Sequence, residues 1–139
     1  MHHFEAMVDS LAANGELAKA IQAMCVMHKS GLVVDQGTTR SIYKLLKDDP
    51  QAAEGAVVTL RTLKRELDIP IAVFNVVLEA LVRHNPEHAL EVYRRVRQIV
   101  PSGPDAVTFR HLFDHVQEPQ AIVFLWTEMG FFKIGRAHV

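Results

Sequence analysis

The sequence predicts an all-α chain, a right-handed α-solenoid of about four helix-turn-helix repeats. Two observations carry that prediction. An apolar pattern recurs every 35 residues, and within each period it has the i, i+3, i+4, i+7 spacing of one helix face. A second apolar set follows each first one after a turn, so every period encodes a hairpin. Stepping by 35 from Phe4 gives Thr39, Phe74 and Phe109; from Met7, Ile42, Val77 and Leu112. From Val8 the step gives Tyr43, Leu78 and Phe113; from Leu11, Leu46, Leu81 and Val116. Fifteen of these sixteen positions are large and apolar, Thr39 being the exception, although hydrophobic residues make up only 49% of the chain.

First helices are expected over about 3–13, 38–47, 71–83 and 106–115. Second helices are expected over about 16–30, 50–67, 86–99 and 119–131. In the first unit, Asn14-Gly15 supplies the turn and Ala20, Ile21, Met24 and Met27 the second apolar stripe; Ser30-Gly31 then breaks the helix. The second unit turns at Asp48-Asp49-Pro50, where Pro opens a helix and an Asp caps it, and continues through Ala56, Val57, Leu60 and Leu63 to Asp68-Ile69-Pro70. In the third unit the turn is Asn85-Pro86, the stripe Ala89, Leu90, Tyr93 and Val96, and the break Pro101-Ser102-Gly103-Pro104. The fourth turns at Gln117-Glu118-Pro119 and runs through Ala121, Ile122, Leu125 and Met129. Small Ala at the head of each stripe allows close approach of helix backbones. One hairpin cannot bury both its faces, so stacked hairpins share a continuous core. The repeat region is read as 1–133, with units at about 1–35, 36–70, 71–105 and 106–133. Ile134-Gly135-Arg136-Ala137-His138-Val139 is the peptide that a common sequencing adapter encodes in one frame. A foreign tail is expected there, with the natural chain continuing beyond Lys133.

Composition narrows the function. High apolar content and a net charge of -1 exclude disorder as the main state. No stretch reaches the length of uncharged apolar residues that a membrane helix needs, and no secretory or transit pattern opens the chain. A single cysteine, Cys25, excludes a disulfide scaffold and cysteine-based zinc sites; beside Met24 it reads as a buried thiol. The 15 Lys+Arg are balanced by 16 Asp+Glu, so any nucleic-acid affinity must come from local placement and not from a global field.

Other motifs read as structure. His111 and His115 could grip a metal but lack a third ligand and are expected on a surface face. His84 and His88 straddle a turn. Trp126 is expected in the core, and Phe131-Phe132 as packing for a further unit. Arg94-Arg95-Val96-Arg97 reads as a solvated outer face. No catalytic triad, phosphate loop or deaminase signature occurs, so no catalysis and no cofactor are expected in this segment.

The repeat resembles that of pentatricopeptide repeat proteins. Val73-Phe74-Asn75-Val76-Val77-Leu78 looks like that family's helix opening, His88-Ala89-Leu90-Glu91-Val92-Tyr93 like its second helix, and Gly103-Pro104-Asp105 like its closing turn. The first unit matches nearly as well, the second is degenerate, and the period of 35 separates the chain from tetratricopeptide repeats. The resemblance implies single-stranded RNA binding, usually to transcripts in mitochondria or plastids, with DNA and membranes not expected. It further implies that the fifth and last residues of a unit read one base edge, while the second residues of consecutive units sandwich that base. Carried over, Asn75 and Asp105 form a reading pair with a preference for uridine over cytidine, flanked by Ala72 and Val107. Glu5 with Asp35 sets two carboxylates at one base edge, and Arg40 with Pro70 is no standard pair. Arg110 has no visible partner; Arg40 and Arg110 are candidates for phosphate contacts. Binding by four units is expected to be weak and salt-dependent. Two other functions stay open: a scaffold holding a protein or peptide in its groove, and the repeat arm of a larger RNA-processing enzyme. A positive groove favours RNA; a negative or apolar one favours a protein ligand.

Overall fold

In a computed structural model that describes residues 2–134, the chain folds as helical hairpins stacked in sequence order. Residues 135–139 of the predicted tail lie outside the described residues. The first helices are α1 (His2–Ala13), α3 (Gln36–Leu46), α5 (Ile71–His84) and α8 (Ala106–His115). The second helices are α2 (Leu17–Lys29), α4 (Pro50–Leu63), α6 (Pro86–Arg94) continued by the short α7 (Val96–Ile99), and α9 (Pro119–Phe131). Each first helix packs on the next, α1 on α3, α3 on α5 and α5 on α8, while α2 contacts α4 behind them. This is the expected α-solenoid, and the described residues contain no strand.

Local chemistry explains the helix ends. Gly15, Gly31 and Gly103 hold positive φ (74°, 86° and 76°), a region where a Cβ is strained, and so turn the chain after α1, after α2 and before α8. Asp49 Oδ1 accepts the Ala52 N–H at 3.1 Å and Asn85 Oδ1 accepts that of His88 at 3.1 Å, each capping a helix that begins with Pro.

The core runs along the seam between the two helix layers. In the inner units the repeating apolar columns are largely buried: Ile42, Leu46, Phe74, Val77, Leu78, Leu81, Phe109 and Leu112 are all excluded from solvent. Thr39, the single polar member, is buried too. The second layer is also tied laterally. His88 Nδ1 lies 2.9 Å from Glu54 Oε1, joining α6 to α4. The Tyr93 hydroxyl donates to Glu128 Oε1 at 2.9 Å, joining α6 to α9, and the Tyr93 ring stacks edge-on against Phe109 (5.5 Å) and Phe124 (6.2 Å). Cys25 is buried as expected, and its thiol pKa is pushed up to about 11 by desolvation.

Three expectations are corrected. The helix expected over 86–99 breaks at Arg95, where i→i−3 bonds replace the α pattern (Arg95 N–H to Val92 O, 3.1 Å; Gln98 N–H to Arg95 O, 3.0 Å). Tyr93, Val96 and Ile99 are three residues apart and all buried, and a tightened turn keeps all three facing inward. Trp126 is not core: it is 48% exposed. The α9 helix is apolar nearly all round and only Leu125 is fully buried; the next residue lies about 100° further round and faces out. His111 is not on the surface but 7% exposed.

Phe131 is exposed, while Phe132 is partly buried and turns back toward the third unit, its ring near Gly103. Arg97 sits over both rings at 5.7 and 5.6 Å, and Arg94 lies over Phe124 at 4.4 Å. The three arginines of the basic run are solvent-exposed on the second-helix layer, while Val96 between them is buried. No described helix is long and apolar enough to cross a membrane.

Candidate functional site

Three successive first helices, α3, α5 and α8, line one open trough of about 430 Å³. Asp35, Arg40, Ala72, Asn75, Asp105, Val107 and Arg110 all border it, with Tyr43, Glu79 and His111. The stacking explains the grouping. Arg40, Asn75 and Arg110 are 35 residues apart, so each occupies the same place on its own helix and the three form a row. Ala72 and Val107 are related by the same step. Asp35 and Asp105 are the N-caps of α3 and α8, each accepting the N–H of the residue three places on, Thr38 at 3.0 Å and Thr108 at 3.1 Å.

Glu5 and Pro70 stand apart. Glu5, half-buried in α1, is not among the residues that line the trough, so it is not brought together there with Asp35. Pro70 caps the start of α5 and borders a different hollow among the interhelix loops.

At the centre of the trough, residues from adjacent units form one network. Asn75 Nδ2 donates to Asp105 Oδ1 at 3.0 Å, and the Thr108 hydroxyl donates to Asn75 Oδ1 at 2.6 Å. The Asp105 backbone N–H donates to Thr108 Oγ1 at 3.1 Å, completing a capping box. Asn75 is 5% exposed and Thr108 fully buried, so the network sits at the trough floor. Every bond to Asp105 uses Oδ1. One Asn75 N–H and Asp105 Oδ2 therefore have no protein partner among the described residues. Together they present a donor beside an acceptor, which is what a base edge can meet.

One turn along α5 from Asn75, Glu79 Oε1 lies 3.7 Å from His111 Nε2. Burial lowers the His111 pKa below the usual histidine value, with Glu79 pulling the other way. A further turn on, Arg83 Nη1 donates to the Tyr43 hydroxyl at 2.6 Å. Among the described residues no group of three or more metal-ligating side chains converges, and His111 faces the Glu79 carboxylate across the helix seam. Sequence reasoning missed Thr108, Glu79 and Tyr43. Thr108 left a signal, since Asp105-Ala-Val-Thr108 repeats the spacing of Asp35-Gln-Gly-Thr38, a helix-capping pattern.

The family model of pentatricopeptide repeat-containing proteins matches residues 1–96 of the chain. The chain belongs to this family. No curated protein matches it. The matched span covers α1 to α6 and therefore includes Asn75 and Arg40, while Asp105 and Arg110 lie beyond it. Beyond the matched span α8 packs on α5, and it begins at Ala106, 35 residues after Ile71 at the start of α5.

Proposed function

We propose that this pentatricopeptide-repeat chain binds single-stranded RNA in the trough of its first helices and reads one base there. The observation that carries the proposal is the 3.0 Å bond between Asn75 and Asp105, which joins the fifth and last residues of one unit into one recognition element. Asn75 offers the free N–H and Asp105 the free oxygen; Ala72 and Val107 flank the base, and Ala72 leaves one side of that sandwich looser. Arg40 and Arg110, exposed on either side of Asn75 and without a hydrogen bond or ion pair among the described residues, hold phosphates of the neighbouring nucleotides. Asp35 with Glu5 reads no base in this account, because Glu5 is absent from the trough lining. Such a chain acts by occupying a transcript, in mitochondria or plastids as its family does, and chemistry is not its task.

The test is binding of oligo(U) and oligo(A) across a salt series. Two phosphate contacts on a single strand predict a slope of log K against log[salt] of about −1.4, reduced by about 0.7 in Arg110→Ala. Equal binding of both oligomers, or none, contradicts the proposal.

A second function is favoured by one observation. The charged residues lining the trough are Asp35, Glu79, Asp105, Arg40 and Arg110, one more acid than base, beside apolar Val34, Ile71 and Val76. A peptide carrying basic and apolar side chains matches that lining. Salt-sensitive capture of such a peptide, with oligo(U) failing to displace it, would favour the scaffold role.

A further inference from the structure

We propose that Thr108 determines base specificity without touching the base, by fixing which way the Asn75 carboxamide faces. This rests on the base-reading role of Asn75 and Asp105 set out above.

A carboxamide has a donor end and an acceptor end of nearly the same shape, so its value as a reader depends on its orientation. Thr108 comes from the next unit, at its third place, and its single hydroxyl proton has two acceptors in reach: Asn75 Oδ1 at 2.6 Å and Asp105 Oδ1 at 3.1 Å. The shorter bond goes to Asn75. Asp105 Oδ1 is meanwhile supplied by the Thr108 N–H at 3.1 Å and Asn75 Nδ2 at 3.0 Å. The hydroxyl oxygen receives the Asp105 N–H at 3.1 Å. Donors and acceptors match throughout. Turning the carboxamide over would set Asn75 Oδ1 against Asp105 Oδ1, two acceptors about a hydrogen-bond length apart, and forfeit the bond joining the reading pair. With Thr108 in place the amide therefore shows the trough an N–H. Without its hydroxyl, Asn75 Oδ1 loses its donor in a buried pocket, only Asp105 still opposes the turned amide, and the population with oxygen toward the base rises.

The other junctions lack one or more of the three side chains. At Thr38, 70 residues earlier, the same capping hydroxyl donates to Asp35 itself at 3.2 Å, because Glu5 stands where a carboxamide would. At the place between them stands Val73, after Pro70 and opposite Arg40, with no hydroxyl at all. The fixed amide is specific to the Asn75–Asp105–Thr108 junction.

The decisive comparison is the ratio of oligo(U) to oligo(A) affinity for the wild-type chain, Thr108→Val and Thr108→Ser, each with its melting temperature. Thr108→Val keeps the shape and removes the hydroxyl; its ratio should fall roughly fivefold or more, while Thr108→Ser retains the wild-type ratio. A folded Thr108→Val with an unchanged ratio and only a lower melting temperature makes Thr108 a helix cap alone and overturns the proposal. A wild-type chain without preference overturns the base reading beneath it, a separate failure recognised before any variant is made. A measurement on the wild type alone covers the case in which Thr108→Val does not fold. A fixed carboxamide predicts that the Asn75 Nδ2 proton donated to Asp105 resonates downfield of those of exposed carboxamides and shifts little with temperature; Nδ2 protons with the positions and temperature dependence of an exposed carboxamide contradict it.

Discussion

Asn75 illustrates how far single residues were readable. Its pairing with Asp105 is what the resemblance to pentatricopeptide repeats implies for the fifth and last residues of one unit; the 35-residue period supplies only the bounds of that unit. That the two would be joined directly, at 3.0 Å, depends on the extended Asp105 backbone at the start of α8, which periodicity does not encode. Asn75→Ala should remove the preference for oligo(U), a loss of about 1–3 kcal/mol in discrimination. The fold should tolerate the change, since the Thr108 hydroxyl can turn to Asp105 Oδ1 at 3.1 Å; equilibrium binding together with urea denaturation checks both halves. His111 was misread because its burial comes from packing of α8 on α5, not from its neighbours in sequence. Its pKa is lowered in the folded state, chiefly by desolvation. The unfolded chain thus binds this proton more readily, and stability is full above the ordinary histidine value of about 6.5 and declines as pH falls below it. The melting temperature should drop on acidification through that range, and His111→Gln should flatten the drop.

Helices were the most legible elements, since each carries an apolar stripe at helical spacing bounded by Gly, Pro, Asn or Asp. The break at Arg95 was not legible. Tyr93, Val96 and Ile99 fit an α stripe as well as a tighter one, and only their common burial selects the latter. Trp126 fails for a related reason: periodicity locates a buried face only when the opposite face is polar, and α9 has no polar face. Capping was predicted at Asp49 and found there, so it carries a quantitative expectation. Asp49→Ala removes the acceptor for the Ala52 N–H and should destabilise the chain by about 1 kcal/mol in urea denaturation, with oligo(U) preference intact because α4 lies outside the trough.

Across the whole molecule, stability and function depend on the same stacking. Each hairpin buries its apolar face only against its neighbours, so damage to an inner unit spreads to the interfaces on both sides. Phe74, fully buried in α5, is such a position, and Phe74→Ala should cost about 3–5 kcal/mol. Val123→Ser, on the exposed side of α9, should stay within about 0.5 kcal/mol. The trough exists because α3, α5 and α8 lie side by side and set Arg40, Asn75 and Arg110 in a row. Its near-neutral charge was readable in the overall balance of acids and bases, whereas its acidic member Glu79 could be assigned to it only once the helices were stacked. The central claim is that RNA enters this trough at Asn75. It is tested most directly by the side-chain amide resonances of the three asparagines during titration with oligo(U). The account predicts that Asn75 shifts while Asn14 and Asn85, in the turns between helices, stay still; an unmoved Asn75 with changes gathered on the second helices would contradict it.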